Sequence, residues 1–312
     1  MDLGFNVADK SYITYIVLAH SDPALFGRFI RKIHGHHAKI IVHVDKKADI
    51  KPFIKESHEV INISFVEPRI SVMWAGFSQV ESTLLSLNYA IERTNHLCSH
   101  MVIVSGADYP IASNKNISNF FASNLDKQFI RRFSVMDSQD SRQIWRLKGR
   151  HFRELADRFT FKRKPLYLLE QALHIFPRKL PGDIKFALGS NWVAITRECA
   201  RYCVDRARND KSLTDLFRPM FGPDEMFLHT LVENSHFSKT ASPIEPYVNI
   251  TIPGGPFHYG NVHYLTPKVP ICTSNDAEDI LSKKGNRLFS RKFSSKSSLE
   301  ALNTIDLYLE GQ

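Results

Sequence analysis

The chain has 312 residues, 43% of them hydrophobic and 11% aromatic, enough to bury a substantial core and to exclude a disordered polymer. Its apolar runs, such as residues 13–19 and 101–104, fall far short of the roughly 20 residues that cross a bilayer. A net charge of +9 and an isoelectric point near 9.3 suit a nucleotide diphosphate, an anionic membrane surface or a polyanion, yet scattered basic residues without a helix-turn-helix, zinc-finger or RNP pattern argue against nucleic acid.

The amino terminus carries no basic segment followed by an apolar signal core, so export through a signal peptide is not expected. The first 110 residues then alternate strand and helix signals: an apolar strand over Tyr12–Ala19, a helix over 23–34 opened by Asp22 and Pro23, and a strand over 39–44. A short strand over 62–66, a helix beginning near Phe77 with Val80, Leu84, Leu87 and Ile91 at helical spacing, and a strand over 100–105 follow. This rhythm predicts an α/β fold with a mostly parallel nucleotide-binding sheet flanked by helices.

Over 128–181 the texture turns basic and aromatic and strand alternation is lost. A strand over 192–195, a helix over 196–208 and a helix opening at Pro223 are expected next. Beyond Pro243 the chain is rich in Pro, Gly and His until a last helix after Ser297. The four cysteines, Cys98, Cys199, Cys203 and Cys272, lack CxxC spacing and are expected to be reduced core or helix-face residues.

A sheet of this kind holds ligands at the carboxyl ends of its strands, where His20, Asp45, Trp74 and Asp108 stand. Asp45 in IIVHVD suits a uracil or a ribose; a solvated loop carboxylate is the alternative. No GxGxxG or GxxxxGK[ST] loop occurs, which argues against dinucleotide dehydrogenases and P-loop enzymes. Nor is there an Asp-x-Asp pair or HExxH spacing to hold a metal. If a diphosphate leaves here, fixed cations must neutralise it, and LFSRKF offers Arg291 and Lys292. In FGPDEMFLHTL, Asp224 and Glu225 fall in the first turn of the expected helix. Helix capping explains such a pair; so does a base kept ionised by the helix dipole.

Seven segments in order, YIVLAHSDP, IIVHVDKK, PRISVMWAGFSQVES, MVIVSGADYPI, GSNWVAITREC, FGPDEMFLHTL and NRLFSRKF, resemble the core-2/I-branching β-1,6-N-acetylglucosaminyltransferase family, which includes the peptide xylosyltransferases. The resemblance implies one glycosyltransferase domain over 1–312, of variant GT-A fold without Asp-x-Asp, its nucleotide-sugar half at 1–125 and its acceptor-binding and catalytic half at 126–312. It implies inverting transfer from a UDP-sugar, N-acetylglucosamine favoured, to a glycan or lipid-linked glycan, with no metal cofactor. Glu225 would be the base. His20, Asp45, Trp74, Lys268 and Lys292 would contact the donor, the two lysines at its diphosphate. Asp108, Arg146, Lys148, Ser190, Asn191 and Trp192 would serve the acceptor. Trp74 replaces a family tyrosine, Lys268 an arginine, and Asn191 a xylosyltransferase aspartate; an amide cannot act as a base.

The chain thus resembles a bare catalytic domain of bacterial or viral type, cytoplasmic and expected to act in surface polysaccharide or lipopolysaccharide synthesis. An inactive nucleotide- or glycan-binding homologue is the alternative. Residues 158–179 mix basic clusters with apolar positions, which suits peripheral contact with an anionic membrane. A core-facing helix with a solvated basic rim is the other reading.

Overall fold

Strand β1 (Tyr12–Ala19) runs down the middle of a five-stranded sheet whose order is β3 (Ile63–Phe65), β2 (Ala38–Val44), β1, β4 (Cys98–Ser105) and β8 (Ala194–Thr196). The computed structural model describes residues 12–136, 138, 140–156, 160–247, 261–265 and 271–311. Successive β1 side chains leave to opposite faces: Ile13, Tyr15, Val17 and Ala19 join one core, Ile16 the other. Both faces are therefore covered, as a mostly parallel sheet requires. Asp22 caps α1 (Pro23–Ile33) by accepting from the Leu25 amide at 3.1 Å, which turns the chain back to β2 (Ala38–Val44), parallel to β1. The short α2 (Lys51–Glu56) leads to β3 (Ile63–Phe65), parallel to β2. Helix α3 (Ser78–Arg93) covers the second face and returns to β4 (Cys98–Ser105), parallel to β1.

The sequence reading of this half therefore holds, and the observed sheet is the mostly parallel one expected. Strand β5 (Asp108–Pro110) and α4 (Asn114–Ala122) follow directly. The basic stretch is not structureless: it holds β6 (Phe133–Ser134), α5 (Ser141–Lys148) and α6 (Arg163–Leu173). Next come β7 (Ala187–Leu188) and β8 (Ala194–Thr196), the latter antiparallel to β4. Thr196 caps α7 (Arg197–Asn209), which is followed by α8 (Lys211–Phe217).

The helix expected at Pro223 is corrected. Residues Pro223–Glu225 form a 3-10 turn, and α9 (Phe227–Glu233) starts only after Met226 leaves helical geometry at φ −126°. Beyond it, β9 (Glu245–Pro246) pairs with β6. Strand β10 (His263–Leu265), α10 (Ser274–Lys283), β11 (Phe289–Arg291) and α11 (Leu299–Glu310) complete the described elements. Strand β11 lies between β10 and β5 and pairs Arg291 with Asp108 in register. That small sheet carries LFSRKF back to the end of β4. All four cysteines are buried. Among the described residues no helix is long and apolar enough to cross a membrane.

Candidate active site

The parallel strands β1, β2 and β4 end side by side at Ala19, Val44 and Ser105 and open onto a cavity of about 670 Å³. It is lined by His20, Asp45, Trp74, Lys292 and the unforeseen Lys47 together with Arg146, Asn191, Trp192 and Glu225.

Asp45 is held firmly. Its Oδ1 accepts from the amides of Lys47 at 2.9 Å and Val72 at 3.3 Å, while Oδ2 lies 3.7 Å from the Lys47 ammonium. Enclosure at the rim, then the charge of Lys292, pushes the His20 imidazole below its usual range, against the pull of Asp45. Among the described residues Lys292 makes no ion pair, although its neighbour does: Arg291 Nε stands 3.5 Å from Asp108 Oδ1. The Arg291 guanidinium lies 4.0 Å over the Trp192 ring, a cation–π contact between two residues that line the cavity. Burial lowers the affinity of Arg291 for its proton, and Asp108 opposes that shift.

Glu225 accepts from Arg146 Nη2 at 2.5 Å. Arg146 is fixed in turn by Gln143 Oε1 at 3.1 Å and by the carbonyls of Phe221 at 3.2 Å and Gly222 at 3.3 Å. Gly222 is required here: its φ is +62°, and a Cβ on it would meet Arg146 Nη2 at 2.7 Å. Neither Asp224 nor Glu225 caps a helix through its side chain. The capping explanation therefore falls, and the pair stands just before α9 and not in its first turn. The positive charge beside Glu225 belongs to Arg146, which was expected to bind acceptor.

Asp224 accepts from Gln79 Nε2 at 3.1 Å and from Asn191 Nδ2. Part of the residue faces the cavity, but the carboxyl is enclosed by these amides. Burial, then the Glu225 charge, pushes it up to about 7, against the hydrogen bond from Asn191. Against an unfolded value of about 4, such a group binds its proton more tightly in the folded state. Its stabilising share is full below about pH 4 and is lost as pH rises through about 7. Asp224→Asn should flatten the fall in stability over that window, read as Tm against pH; an unchanged slope would assign the proton elsewhere.

Three expected acceptor residues do not line the cavity. Asp108 has no exposed surface; its oxygens accept from the Ser105 amide at 2.8 Å, the Ser105 hydroxyl at 2.5 Å and His263 Nε2 at 3.1 Å. It therefore acts behind Arg291, not on a substrate. Ser190 is buried, and its hydroxyl accepts from the Trp192 amide at 3.3 Å, which shapes the loop. Lys148 ends α5 away from the cavity, its carbonyl accepting from the Arg178 amide at 2.8 Å. Lys268, expected at the diphosphate, lies outside the described residues. Sequence reasoning missed Lys47, Gln79 and Phe221. Lys47 stands two residues after Asp45 in HVDKK, so the loop after the strand could have flagged it; Phe221 and Gln79 carry no local signal.

Ligands of open α/β sheets are met at the carboxyl ends of the strands, and here Asp45 beyond β2 shares one cavity with Lys292 beyond β11 and with the Asp224–Glu225 pair of the 3-10 turn. A model of the Core-2/I-branching enzyme family matches residues 13–245, and the chain belongs to that family. It is 23% identical over 313 residues to a xylosyltransferase of Ciona intestinalis, covering 96% of this chain and 34% of that protein. Against human xylosyltransferase 2 the figures are 23% over 317 residues, 96% and 34%. The chain thus spans about a third of the length of the curated relatives it matches. Mouse xyloside xylosyltransferase 1, a solved apo structure, is similar at a TM-score of 0.34 and 10% identity, over 75% of this chain and 85% of that one.

Proposed function

We propose that the chain is an inverting glycosyltransferase that passes a sugar from a UDP donor to a glycan hydroxyl without a metal ion. The observation that carries the reading is one cavity holding the clamped carboxylate of Glu225 together with Asp45 and Lys292. In the proposed step Glu225 takes the proton of the acceptor hydroxyl, whose oxygen attacks the anomeric carbon. The bond to the diphosphate breaks as the new one forms, and the departing charge is met by Lys292 and Arg291. Asn191, whose Nδ2 donates to Asp224, lines the same cavity beside Glu225 and would meet the acceptor.

Metal independence is supported by the missing Asp-x-Asp. N-acetylglucosamine is the favoured sugar, with xylose or a hexose as the other donors to screen. A single domain over 1–312, a cytoplasmic site of action and surface polysaccharide or lipopolysaccharide assembly complete the reading.

A thermal-shift titration with UDP-N-acetylglucosamine should raise Tm. Lys292→Ala should weaken UDP binding by roughly 10- to 100-fold, the scale of one hydrogen bond to a charged group. Transfer should survive EDTA; activity lost in EDTA and restored by manganese would overturn the metal-free step. Donor binding with no release of UDP, even with acceptors present, would favour the inactive homologue.

A further inference from the structure

Helix α6 is built inside out. Its buried side chains are Arg163 and Glu170, an ion pair of 2.5 Å in which Glu170 also accepts from the Phe152 amide at 2.7 Å. A step of two residues rotates roughly 200° about a helix, and two residues before Glu170 stands Leu168, 67% exposed. The turns flanking α6 add Phe161 at 81%, Ile175 at 75% and Phe176 at 67% exposed. The expectation of a core-facing helix with a solvated basic rim is therefore corrected: the buried positions are the charged pair, with Leu166 and Leu173 half-buried beside it, while Tyr167, Leu168 and Leu169 are exposed.

Charge completes the pattern. Within residues 160–179 the sole acid is Glu170, which is buried and paired, whereas Lys162, Lys164 and Lys179 are exposed. An outward apolar surface set among uncompensated lysines is the arrangement of a segment that rests on anionic lipid. The surface is also fastened to the catalytic half. Arg150 Nη1 donates to the Phe176 carbonyl at 2.5 Å, and the His174 ring packs 6.1 Å from Trp145 on α5, the helix that carries Arg146. Residues 158 and 159 of the expected contact segment lie outside the described residues.

We propose that the α6 surface docks on an anionic lipid bilayer, seating Phe161, Leu168, Ile175 and Phe176 at the headgroup boundary while the lysines meet lipid phosphates. Docking does not depend on the transferase reading; if both hold, a lipid-borne acceptor is presented beside α5.

The test is flotation of the full chain with vesicles of phosphatidylcholine, with and without phosphatidylglycerol. The chain should float with phosphatidylglycerol at low salt, leave those vesicles at high salt, and stay behind with phosphatidylcholine alone. Each of Lys162→Ala and Lys164→Ala should weaken binding about fivefold. Combined Leu168→Glu, Ile175→Glu and Phe176→Glu should abolish it with Tm unchanged, because these side chains are already in water. No flotation at low salt, or flotation indifferent to lipid charge and to these substitutions, would overturn the proposal. So would sedimentation showing a dimer that the glutamate variant dissociates, since the surface would then be a contact between two copies of the chain.

Discussion

Glu225→Gln should lower the rate of sugar transfer by roughly 10²- to 10⁴-fold, the contribution of one positioned base, while leaving Tm and UDP binding near those of the parent chain. Glutamine keeps the shape of the side chain and an oxygen for Arg146 Nη2, which now lies at 2.5 Å from Glu225 Oε2. What it removes is the capacity to take a proton. A merely structural Glu225 would tolerate the exchange, because the bond from Arg146 and the backbone of the Pro223–Glu225 turn would persist. The loss should fall on kcat more than on KM, since proton removal belongs to the transition state and not to ground-state binding. Near-normal transfer by Glu225→Gln would move the base to another group.

The reach of sequence reasoning differed sharply between the sheet and the site. Strands β1, β2 and β4 were legible because burial on both faces leaves continuous apolar runs, and α1 because Asp22 and Pro23 mark its start. Strands β10 and β11 were not, since each is three residues long and exists through pairing with a distant partner. Such pairing leaves no periodicity in the chain. The role of Arg146 was hidden for the same reason: its partner lies 79 positions away, and a basic residue in an acceptor-like segment carries no sign of what it clamps. Asp108 shows the opposite failure. Its position just past a strand is where ligands are usually met, yet pairing of β5 with β11 encloses it completely. The same pairing carries Arg291 and Lys292 to the cavity.

Asp108→Asn should therefore cost stability rather than substrate contact. Burial alone would raise the Asp108 carboxyl, but the charge of Arg291, with His263 and Ser105, overcomes it and holds the group below the ordinary carboxylate range. A depressed carboxyl contributes stability that is present above its unfolded value of about 4 and is lost as pH falls through the folded value. That slope is opposite in sign to the one assigned to Asp224, so the two variants should flatten different limbs of a plot of Tm against pH. Asparagine matches aspartate in size but leaves the enclosed Arg291 guanidinium uncompensated. Breaking one side of a buried pair costs about 3–5 kcal/mol, a fall in Tm of several degrees for a domain of this size. Urea unfolding at pH 7 would measure it directly, and a midpoint equal to that of the parent chain would show that Arg291 does not need this carboxylate. Donor binding should weaken too, since Arg291, no longer drawn toward Asp108, loses the position from which it packs on Trp192 beside Lys292.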